Sequence, residues 1–100
     1  MTRVSRKPGR ATTDVFHDLG FSSEESENLA MRSELMIRLS RVIEDKGLTQ
    51  AQAATVFGVS QPRVSDLVTG KIDRFSVDTL IAMLGHAGLR VQLRILAEAG

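Results

Sequence analysis

Four times along this chain a Ser or Thr opens an apolar stretch of helical spacing and a Gly closes it. The pairs are Ser22 with Gly47, Thr49 with Gly58, Ser60 with Gly70, and Ser76 with Gly88. A hydroxyl before a helix accepts from its orphan N–H groups, and a Gly beyond it can take the left-handed conformation that satisfies the last carbonyls. Little is left between the stretches, so the pattern predicts helices joined by very short turns. Ser22 with Glu25 and Thr49 with Gln52 have capping-box spacing, and Glu24 suits the positive end of a helix. Pro62 falls in the first turn after Ser60, where a missing N–H costs nothing. Phe75 is placed to staple onto Leu80. The expected core faces are Leu29, Leu35, Met36, Leu39, Val42 and Ile43; then Ala53, Ala54 and Phe57; then Val64, Leu67 and Val68; then Leu80, Ile81, Met83, Leu84 and Ala87.

The two ends read differently. Residues 1–13 contain Pro8-Gly9 and the basic Arg3, Arg6, Lys7 and Arg10, with little to bury, and predict a flexible basic arm before a domain over 14–100. Val15, Phe16, Leu19 and Phe21 are too apolar to float and should pack on the body. At the other end, Leu89-Arg90-Val91-Gln92-Leu93-Arg94-Ile95 alternates strictly, as a half-buried strand does. A lone strand leaves its N–H and C=O groups without a ladder. The only other short extended candidate is Thr12–Phe16. The expected partner is therefore the same strand of a second subunit, antiparallel about a two-fold axis. Leu89, Val91, Leu93 and Ile95 would cover the helices, with Arg90, Gln92 and Arg94 facing outward.

One hundred residues allow one domain with a modest core, which a partner subunit could help stabilise. Cysteine is absent, which excludes disulfide scaffolds, thiolate zinc sites and cysteine nucleophiles. His17 and His86 belong to no metal-ligand spacing or nucleophile–base set, and no Gly-rich phosphate loop occurs. The expectation is no enzyme, no cofactor and no metal. No apolar run approaches the roughly 20 residues that span a bilayer, and no h-region follows the basic start, so the expected place is the cytoplasm. Thirteen basic and twelve acidic residues give a net charge of +1, which by itself points to no partner. Their distribution says more: a basic stretch over 1–10 precedes the acidic Asp14, Asp18, Glu24, Glu25 and Glu27. That asymmetry suggests separate surfaces for separate partners, or a solvated tail beside a solvated helix start.

The most informative stretch is QAQAATVFGVSQPRVSDLVT, Gln50 to Thr69. Ala54 lets two short helices approach closely, and Gly58 can supply the positive φ of a tight turn. Val59 fills the elbow, and Val64 with Leu67 anchors the second helix on the first. This is the pattern of a helix-turn-helix, whose second helix enters the DNA major groove. LTQAQAATVFGVSQPRVSDLVTGK resembles the Cro and phage-repressor (XRE) helix-turn-helix family. VFHDLGF upstream and GKIDRFSVDTLIAMLGHAGLRVQLRI downstream resemble its branch of small HigA-like antitoxins, so the likeness covers about residues 15–96. It implies a mainly α, lambda-repressor-like domain of four to five helices, with one C-terminal β-strand that pairs in a dimer.

The start of the second helix should meet base edges, which nominates Ser60, Gln61, Arg63 and Ser65. Gln suits adenine and Arg suits guanine through paired hydrogen bonds. The plain alternative for Arg63 is a surface ion pair with Asp66, three residues on. Asp66 would repel phosphate, orient Arg63, or accept from cytosine. Thr49, Gln50, Thr69, Lys71 and Arg74 are the candidates for phosphate, Lys71 and Arg74 being equally readable as merely solvated; in the resembling family the place of Gln50 approaches the backbone. The expected function is a dimeric, sequence-specific repressor on an inverted-repeat operator of double-stranded DNA. The resemblance favours the antitoxin of a type II toxin–antitoxin pair, partnered by a small RelE-like toxin. The competing readings are a protein-interaction module that does not bind DNA, and a stand-alone XRE-type regulator.

Overall fold

The computed structural model describes residues 8–97. Five α-helices follow one another among them: α1 (Pro8–Asp18), α2 (Ser23–Lys46), α3 (Gln50–Phe57), α4 (Gln61–Val68) and α5 (Val77–His86), with a 3-10 turn at Ile72–Arg74 between the last two. The caps lie where the sequence predicts them. At α2, Ser22 N–H donates to the Glu25 carboxylate at 3.0 Å and Glu25 N–H donates to Ser22 Oγ at 3.1 Å. The bond from the Ser22 backbone, and then the one to its side chain, hold the Glu25 carboxyl below the ordinary glutamate range. Thr49 and Gln52 repeat the arrangement at α3, at 2.9 and 3.1 Å. Ser60 Oγ accepts from Arg63 N–H at 3.4 Å and Ser76 Oγ from Thr79 N–H at 3.1 Å, which starts α4 and α5.

The 24-residue α2 is the spine, against which α1, α4, the 3-10 turn and α5 pack. A single core draws Met36 and Leu39 from α2, Ala53 and Phe57 from α3, Val64 and Leu67 from α4, Phe75 from the turn, and Leu80, Met83 and Leu84 from α5. Each contribution from an α-helix is an i, i+3 or i, i+4 set, the stripe a helix presents to one side. Val68 and Ile81, expected inward, are 44% and 40% exposed. Each follows a buried Leu directly, and one residue turns a helix by about 100°, which carries both out of the stripe. The one buried polar side chain among the described residues, Ser26, donates to the Phe21 carbonyl at 3.5 Å.

The ends depart from expectation. Residues 8–13 of the expected arm form the first part of α1, with Pro8 at the first helical position, where Pro is well tolerated; residues 1–7 lie outside the described residues. Phe16 and Phe21 meet edge to face at 6.0 Å, turning the chain from α1 back onto α2. Thr12–Phe16 is thus helical, not extended. The strand expected over Leu89–Ile95 is not formed within the chain: residues 89–97 follow α5 without regular secondary structure. The expected ladder belongs to a second subunit, and within the chain α1 occupies Thr12–Phe16, the other extended candidate. Leu89 and Val91 are each 40% exposed, Leu93 is 78% and Ile95 is 86%.

Candidate nucleic-acid interface

Helices α3 and α4 pack on each other across the three-residue turn Gly58-Val59-Ser60. Gly58 closes α3 in the left-handed region at φ 69°, donating its N–H back to the last turn. The His86 ring of α5 lies over it, 3.0–3.1 Å from where a Cβ would stand. Gly58 therefore answers two demands, a positive φ and a close approach. Gly58→Ala is expected to cost at least about 1–2 kcal/mol from the backbone alone, with displacement of His86 added. A urea midpoint equal to wild type would contradict this. The contact with His86 is not legible in sequence, since 28 residues separate the two positions.

At the start of α4, Ser60 is the N-cap and Gln61 and Pro62 are exposed. Ser65, one turn on, is half-buried. Arg63 is half-buried as well, and its guanidinium is folded toward the loop that follows α4. It donates to the Arg74 carbonyl at 2.9 Å, lies 5.6 Å from the Phe75 ring centroid, and stands 4.0 Å from the Asp66 carboxylate. The plain alternative for this residue is thus present in the geometry, in loose form. A guanidinium has further N–H donors, so one carbonyl does not exhaust it.

Asp66 gathers more than Arg63. Lys71 Nζ lies 3.8 Å and Arg74 Nη1 3.6 Å from the same carboxylate, whose side chain is 16% exposed while the three cations are 41–55% exposed. The structure therefore brings together Arg63, Lys71 and Arg74, which sequence spacing assigned to two different tasks. Thr69 caps the end of α4, and its hydroxyl donates to the Ser65 carbonyl at 2.7 Å. Thr49 and Gln50 stand apart at the start of α3, with the Thr49 oxygen already accepting from Gln52.

One contributor escaped the sequence reading. Arg32 of α2 is held by Asn28 Oδ1 at 2.7 Å and donates to the carbonyls of Ile72 at 3.1 Å and Phe75 at 3.3 Å. With Arg63 on Arg74, two guanidiniums grip the loop that carries Lys71 and Arg74. The Asn28 to Arg32 spacing is readable along a helix, but a reach to carbonyls 40 and 43 residues away is not. At the opposite end, Leu89, Arg90 and Val91 line an open groove against Ile37, Arg38 and Arg41 of α2. Among the described residues, no helix is long and apolar enough to cross a membrane.

No match to the chain is found among curated proteins. Residues 15–96 match the description of a helix-turn-helix domain, a span that takes in the whole α2–α5 body, the turn at Gly58 and most of the C-terminal segment. The chain belongs to the helix-turn-helix domain family.

Proposed function

We propose that this protein is a dimeric, sequence-specific DNA-binding repressor that occupies an inverted-repeat operator and excludes polymerase. The observation that carries the reading is the α3–turn–α4 unit, with Gly58 left-handed and the first residues of α4 exposed. In this reading α4 lies in the major groove. Ser60, Gln61, Arg63 and Ser65 address base edges, and Thr49, Gln50, Thr69, Lys71 and Arg74 address phosphates. The segment Leu89–Ile95 pairs with its copy in a second subunit, which sets two recognition helices roughly 34 Å apart. The protein works in the cytoplasm and catalyses no reaction. Its sequence likeness to HigA-like antitoxins supports a further role in silencing a small RelE-like toxin.

Arg63→Ala is expected to weaken binding to the best operator by about 1–3 kcal/mol and to relax one base position. Unchanged affinity and specificity would remove Arg63 from the readout set and leave it to hold the loop.

The engagement of Arg63, Lys71 and Arg74 with Asp66 favours one other reading, a protein-interaction module that keeps the fold without binding DNA. A salt titration separates the two. Binding through several phosphates weakens steeply and linearly in log[salt]. Absence of duplex binding even at low salt, with salt-insensitive association to a protein, would establish the module.

A further inference from the structure

We infer that Asp66 sets DNA specificity, by holding Arg63, Lys71 and Arg74 against promiscuous contact with the phosphate backbone. The inference rests on the DNA-binding reading and deepens it. Three positive groups from the recognition helix and the following loop converge on one carboxylate at 3.6–4.0 Å. At these distances none of the three side chains is hydrogen-bonded to the Asp66 carboxylate, although the Lys71 backbone N–H donates to the Asp66 carbonyl at 3.0 Å, and each cation is at least 41% exposed. The pairs are therefore loose, strong enough to gather like charges on a small area yet weak enough to exchange. Asp66 also lies on α4 itself, one turn after Arg63, so it travels with the readout residues wherever the helix docks.

These placements have unequal consequences for different DNA. When α4 sits in register in the groove, base contacts hold the helix, and Lys71 and Arg74 exchange the carboxylate for the flanking phosphates. When it rests loosely on unrelated sequence, the binding is almost wholly electrostatic. There the carboxylate, only 16% exposed behind the three cations, keeps a share of their positive charge to itself and away from the phosphates. A repulsive element of this kind suppresses the wrong partner more than the right one. It also accounts for an acidic residue amid the cations beside a recognition helix.

The test compares wild type with Asp66→Asn and Asp66→Glu on two probes, an operator duplex obtained by selection and a random-sequence duplex of the same length. Both are titrated over a range of salt. Asp66→Asn is expected to bind the random duplex about threefold to tenfold more tightly at low salt, with a salt slope steeper by about one unit. Its ratio of operator to random affinity should fall. Asp66→Glu keeps the charge and should keep the wild-type ratio, which a purely structural role for the carboxylate would not require. Asp66→Ser, followed by thermal unfolding, serves where the Asn variant folds poorly. Tightening on neither duplex, or equal tightening on both, would overturn the inference while leaving DNA binding intact. Failure of wild type and variants alike to bind any duplex would overturn the DNA-binding reading and this inference with it.

Discussion

Phe57→Ala is expected to destabilise the domain by about 3–5 kcal/mol. Phe57 is fully buried, on the last turn of α3, in the cluster where α2, α3, α4 and α5 converge. Neither of the short helices α3 and α4, eight residues each, would be stable alone. What holds them at a fixed angle is the shared core, so a cavity at its centre loosens the helix-turn-helix as a unit. For a domain of this size the loss corresponds to a fall in Tm of well over 10 °C, roughly 4–8 °C per kcal/mol. Against a total stability of about 5–15 kcal/mol, the loss removes from about a fifth to all of the margin. A melting curve within a few degrees of wild type would show that the core does not depend on Phe57 as its burial implies.

Removing residues 89–100 should weaken operator binding by about 10²–10⁴ while leaving the α2–α5 body folded. Two half-sites held by one dimer gain through effective concentration, and two separate monomers lose that gain. Among the described residues, none of 89–97 belongs to the buried core. Its apolar residues Leu93, Ile95 and Leu96 are 75–86% exposed in the single chain, a large apolar surface to leave in water. The truncated protein is expected to sediment as a monomer with an unchanged helical spectrum. A truncated protein that still sediments as a dimer would refute pairing through this segment.

The sequence was most legible where a local rule had a local cause. The caps at Ser22, Thr49, Ser60 and Ser76 lie where hydroxyl, spacing and closing Gly all agree. Core positions such as Leu39, Phe57, Val64 and Leu80 followed from helical period alone. The start of α1 was not legible, because Pro8-Gly9 and the basic residues around it resemble an arm and the helix has α2 to pack against. The C-terminal alternation was visible, but a strand needs a neighbour that this chain does not itself provide among the described residues. For the candidate site, the residue types at the start of α4 could be read from spacing. The convergence on Asp66, the grip of Arg32 on the loop and the seat of His86 on Gly58 could not, since each joins residues from different elements or depends on how side chains fold back.

The central claim, that α4 reads DNA from a two-fold dimer, is tested most directly by selecting bound duplexes from a random pool at near-physiological salt. The account predicts enrichment of an inverted repeat whose half-sites lie about one helical turn apart. Recovery of no enriched sequence, from protein shown to be folded, would contradict it.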